Sequence, residues 1–74
     1  MPDAARISRV LQEQLRARNR PEVTAVEAAE WLDEAGLLKD SRHRPGLPLR
    51  RLLRAGMIEG QHQYPNRRWF VMLT

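Results

Sequence analysis

The order of elements in the last third of the chain most limits what it can fold into. Pro48 opens a short helical pattern, 48–55, with Leu49, Leu52 and Leu53 on one side and Arg50, Arg51 and Arg54 on the other. Proline suits a first helical turn, because its missing amide would be unpaired there and its fixed φ is already helical. Gly56 ends the pattern, and two runs of extended character follow, 57–64 and 67–73, pivoting on Pro65 and Asn66. Strand alternation places Ile58 on a face with Gly60, His62 and Tyr64, and Trp69 on a face with Val71 and Leu73. A two-stranded ribbon alone is marginal in water, so this one is expected to bury Ile58, Trp69 and Val71 against helices.

Charge follows the same division of the chain. From Met1 to Leu38 five arginines face seven acids, a net of −2, whereas from Lys39 to Thr74 eight cations face only Asp40 and Glu59, a net of +6. Twelve of the thirteen cations are Arg, whose planar fork fits phosphates and the guanine edge where Lys offers a point charge. A GC-rich genome accounts for part of that excess, since its codons favour Arg over Lys. It does not account for the segregation. Seventy-four residues suffice for a single domain with one modest core. The absence of Cys removes disulfides and thiolate metal sites. There is no apolar run of about eighteen residues to span a bilayer, and 1–20 lacks the form of a secretory signal. A bacterial-type cytoplasmic, nucleoid-associated protein is the expectation.

Two further helices are legible upstream. The first is expected over 3–18, with Ile7, Val10, Leu11 and Leu15 on its apolar face, Arg and Gln on the opposite face, Pro2 ahead, Asp3 as cap and Asn19, Arg20 and Pro21 as the stop. The second opens with Thr24-x-x-Glu27, a capping box in which the hydroxyl takes an amide three residues on and the carboxylate reaches back, with Val23 and Ala28 as its staple. Ala25, Ala28, Ala29, Leu32 and Ala35 form a small-residue stripe bordered by Trp31, while Glu27, Glu30, Asp33 and Glu34 point outward. Gly36 is expected as its left-handed C-cap. Between 37 and 47 the pattern is irregular, with Leu37 and Leu38 tucking into the core and Lys39, Arg42, His43 and Arg44 as a basic cluster, either solvated or ordered by phosphates.

The run Val23-Thr24-x-x-Glu27-Ala28-Ala29-x-x-Leu32, then Leu49-Arg50-x-Leu52-x-Arg54-x-Gly56-x-Ile58, then Arg68-Trp69-x-Val71, resembles the winged helix-turn-helix of the MerR and phage excisionase superfamily. The resemblance covers Val23 to Val71. It implies a mainly α fold of three helices plus a C-terminal two-stranded β-hairpin: an added N-terminal helix in 1–20, a helix-turn-helix in 23–56 and a wing in 57–74. It further implies a double-stranded DNA-binding protein, a small transcriptional regulator or excisionase-like architectural factor. Helix 48–55 would enter the major groove, and wing tip 64–68 would lie on the backbone or in the minor groove. The DNA-binding candidates are Arg42, Arg44, Arg50, Arg51, Arg54, Asn66, Arg67 and Arg68. The chain departs from the family in the long connection between its two core helices, 36–47, where a tight turn is usual.

So few cations on one small module imply weak binding by a single copy. That leads to the expectation of a homodimer through the N-terminal helix, or of a protein partner beside it on DNA. Catalysis finds little support: Asp40, Ser41 and His43 share a polar loop with no pocket in view, and no small-molecule substrate is expected. His43 and His62 lack cysteine or paired carboxylates beside them, so neither a metal nor another cofactor is expected. The alternative reading is a protein–protein interaction module of the same shape, using the acidic second helix and the apolar outer face of the hairpin at Phe70 and Met72.

Overall fold

The computed structural model describes residues 3–74 and contains three helices and a three-stranded antiparallel sheet. In chain order these are α1 (Ala4–Ala17), β1 (Glu22–Thr24), α2 (Ala25–Glu34), α3 (Leu47–Arg54), β2 (Gln61–Gln63) and β3 (Trp69–Met72). Each helix starts and stops for a local chemical reason. The Asp3 carboxylate accepts from the Arg6 amide at 3.1 Å and opens α1; the role expected for Pro2 lies outside the described residues. The Thr24 hydroxyl accepts from the Glu27 amide at 3.2 Å and opens α2. All three helices close with the same paired bonds, in which a left-handed residue, Asn19, Gly36 or Gly56, turns the chain out. The next amide then reaches back into the last turn: Arg20 to the Leu15 carbonyl, Leu37 to Leu32 and Met57 to Leu52.

One half of the expected capping box is not made. Glu27 does not reach back to the cap; its carboxylate is forked by Arg20, with both N–O distances 3.0 Å. Thr24 is already the last residue of β1, paired opposite Phe70, so the start of α2 is fixed from the strand side as well. The small-residue stripe is buried at Ala25, Ala28, Ala29 and Leu32, but Ala35 lies past the helix end and is exposed.

The C-terminal ribbon is corrected from two strands to three. β3 is the middle strand, with β1 on one side and β2 on the other. Val23 faces Val71 across the β1–β3 pair, and both are buried. The marginal hairpin therefore gains a third strand rather than resting on helices alone. The first run is also shorter than alternation implied. Residues 57–60 form a turn, so buried Ile58 and exposed His62 do not share a strand face, and Leu73 lies past β3, exposed. The register instead puts His62, Phe70 and Thr24 across from one another on the outer face.

α1 is part of the core rather than an addition to it. Ile7, Leu11 and Leu15 are buried in the same cluster as Leu32, Leu49 and Val71. The face turned inward also carries Ser8 and Gln12, so the expectation of Gln only on the solvated side is wrong at Gln12, which is 3% exposed. The Gln12 side-chain amide donates to the carbonyls of Met72 (2.9 Å) and Glu59 (3.2 Å), and its oxygen accepts from the Thr74 amide at 3.0 Å. Ser8 Oγ accepts from the Glu59 amide at 3.0 Å. Between these ties sits Gly60 at φ +81°, where an added Cβ would collide with the Met72 carbonyl. With its apolar side used in this way, α1 offers mainly Arg6, Arg9, Glu13 and Arg16 for any contact between copies.

Candidate nucleic-acid interface

The start of α2, α3 at Arg50 and the hairpin from its tip into β3 line a groove of about 470 Å³. Its walls are Thr24, Ala25 and Val26 from α2, Arg50 from α3, and 67–70 from the hairpin, Arg67, Arg68, Trp69 and Phe70. No carboxylate lines it. α3 is brought there by Gly46, whose left-handed backbone (φ +86°) starts the helix close against Val26, tightly enough that an added Cβ would lie 3.3 Å from it. Leu49 and Leu53 anchor the helix from beneath, which turns Arg51 and Arg54 to solvent and leaves Arg50 half-buried at the groove wall. The Arg50 Nε is sealed from solvent and has no hydrogen-bond partner among the described residues.

The hairpin tip is built by the residues that the sequence singled out. Tyr64 and Arg68 close the loop through the Tyr64 amide and the Arg68 carbonyl (3.0 Å), and the Arg67 amide returns to the Tyr64 carbonyl at 2.8 Å. The three residues between, Pro65, Asn66 and Arg67, end with Arg67 in the left-handed region at φ +66°, as a three-residue hairpin loop requires of its last member. Glycine is the easy choice there; an arginine at such a position is strained, and strain of this kind tends to persist at functional sites. Asn66 stabilises the turn, its side-chain Oδ1 accepting from the Arg68 amide at 3.1 Å.

No protein-family model, curated protein or solved structure matches this chain.

Three of the eight residues singled out from sequence line the groove, Arg50, Arg67 and Arg68; Arg51 and Arg54 are exposed on the same helix as Arg50 and do not line it. Asn66 serves the turn. Arg42 and Arg44 lie apart, exposed in the connection between α2 and α3. That connection holds itself: one Asp40 oxygen accepts from the amides of Ser41 and Gly46, each at 2.9 Å, and Ser41 Oγ accepts from the Arg44 amide. Asp40 and Ser41 are thereby engaged in loop closure. The acids of α2 form a separate surface at Glu30, Asp33 and Glu34, and no group of three potential metal ligands occurs among the described residues. No described helix is long and apolar enough to cross a membrane.

Sequence reasoning missed the contribution of Thr24, Ala25 and Val26. The signal was present, since a capped helix start is also where amides lack intrahelical acceptors. On the outer sheet face Phe70 is half-buried rather than free. Its ring meets that of Tyr64 edge-on at 4.5 Å, and Tyr64 meets His62 in the same way at 4.9 Å. The Tyr64 phenol donates to Glu22 at 2.7 Å, and this bond, with burial, pushes its pKa above the ordinary phenol value.

Proposed function

We propose that this chain is a double-stranded DNA-binding protein of the winged helix-turn-helix type, similar to the MerR and excisionase superfamily. α3 would serve as its recognition helix and the β2–β3 hairpin as its wing. The observation that carries the reading is a groove lined by cations from both elements, Arg50 from α3 and Arg67 and Arg68 from the hairpin, with Arg51 and Arg54 exposed on α3 and Glu30, Asp33 and Glu34 of α2 on a separate surface. The order helix, strand, helix, helix, hairpin, with the hairpin joined to the first strand, supports it. A short helix with an arginine face suits the major groove, where one forked contact to guanine is worth roughly 1–3 kcal/mol of discrimination. Cations on the wing suit the backbone or the minor groove.

The test is fluorescence anisotropy of the chain against a random-sequence duplex at several salt concentrations, beside an Arg50→Glu, Arg54→Glu variant. Phosphate neutralisation makes the logarithm of affinity fall linearly with that of salt, by about 0.9 per phosphate contacted. The variant should flatten that slope. Absence of binding at low salt would end this reading. It would favour the protein-interaction alternative, for which Met72 at 39% and Met57 at 52% exposure supply apolar contact area. Substituting Phe70 and Met72 would then abolish capture of the partner.

A further inference from the structure

Arg50 differs from its neighbours on α3. Arg51 and Arg54 stand in solvent, whereas Arg50 is half-buried with its Nε hydrogen enclosed and unpaired. Because that atom is closed to solvent, a ligand in the groove would meet the outer guanidinium nitrogens of Arg50 instead. Arg67 and Arg68 line the same groove and no carboxylate does, so no anionic side chain among the described residues balances these cations there. The amides of Ala25 and Val26 have no acceptor within their own helix, whose partial positive end they form. The Glu27 amide is already held by Thr24.

We propose that the groove is a phosphate-binding pocket, that Arg50 is its anchor rather than a reader of base edges, and that sequence readout falls to Arg51 and Arg54. The pocket itself does not depend on the DNA-binding reading; the division of labour does. A phosphate oxygen can accept from the Arg50 fork while others meet the hairpin arginines and the α2 amides, the arrangement for which guanidinium geometry is suited. The chemistry is the same for a backbone diester and a free phosphate. Lodged there, a backbone phosphate fixes the register of α3. Arg51 and Arg54, three residues apart and so neighbours on one helix face, are left free to fork onto bases.

The experiment is a ¹⁵N NMR titration of the chain with inorganic phosphate and then with duplexes of differing sequence, beside Arg50→Gln and Arg54→Gln. Phosphate shifts should saturate at the Ala25 and Val26 amides and the outer guanidinium Nη–H groups of Arg50, vanish in Arg50→Gln and persist in Arg54→Gln. Arg50→Gln should weaken binding to every duplex about tenfold and lower the salt slope by about one contact, whereas Arg54→Gln should change which duplex is preferred. Arg50→Lys keeps the charge without the fork, retains part of the phosphate response, and serves if Arg50→Gln does not fold. Shifts that fail to saturate, or that centre on Arg51 and Arg54, overturn the pocket. Sequence preference altered by Arg50→Gln overturns the division of labour. Saturable phosphate binding without duplex binding upholds the pocket and ends the DNA reading; duplex binding without shifts in the groove overturns the pocket alone.

Discussion

Two places in this molecule bury polar groups, and they treat them in opposite ways. At the junction of α1 with the chain beyond β3, both polar ends of the Gln12 side chain and the Ser8 oxygen have partners. Beside the groove between α2, α3 and the hairpin, Arg50 has an enclosed nitrogen that nothing among the described residues satisfies. The first arrangement is what stability requires, because a buried polar group costs free energy unless it is paired. The second leaves that cost uncompensated among the described residues, beside the groove proposed to take a phosphate. The difference separates a structural polar cluster from a candidate binding site without reference to any related protein.

The largest effect should come from breaking the closed junction at its tightest point. Gly60→Ala forces a Cβ into the Met72 carbonyl at a positive φ, and a loss of about 3 kcal/mol or more is expected, read by urea denaturation. Gln12→Met keeps the volume but strands two carbonyls and an amide, and should cost about 2 kcal/mol in the same assay. In the groove the sign should reverse. Arg50→Met removes an unpaired buried donor and should leave stability unchanged or raise it by about 1 kcal/mol, while duplex binding weakens. Arg67→Gly should add about 0.5–1 kcal/mol by relieving the left-handed arginine, again at the expense of binding. If Arg50→Met instead destabilised as Gln12→Met does, the two regions would be alike and the comparison would fail.

The smallest effect concerns pH. The Arg20 fork holds the Glu27 carboxyl below its ordinary value of 4.5, with burial opposing. A carboxyl whose folded pKa is depressed adds stability above its unfolded pKa and loses it as pH falls through the folded value. Stability should therefore decline below about pH 4.5, and Glu27→Gln should flatten that decline in melts across the acid range. Both side chains are more than one-third exposed, so added salt should weaken the effect.

The same contrast explains what could be read from the sequence. Helices were legible because their caps are local: Asp3, Thr24, Asn19, Gly36 and Gly56 act within a few residues of their positions. β1 was not, because its three residues contain one buried side chain, Val23, and strand alternation needs more than one point. Gln12 reads as a solvated residue in any helical pattern; only the return of the chain at residues 59, 72 and 74 gives it partners. The arginines of the groove were individually visible. Their convergence with the start of α2 was not, because it joins residues 24–26, 50 and 67–70.

β3 lies between β1 and β2 although it follows both in the chain. A polypeptide made from its N-terminus can thus wind its helices early, but neither outer strand finds a neighbour until the segment around Val71 has emerged. Glu22 must then wait for Met72, so the closing step spans most of the chain and brings its entropic penalty all at once. The sheet and the hairpin wall of the groove should consequently appear together, late and cooperatively. Partly made chains would have helices and no site.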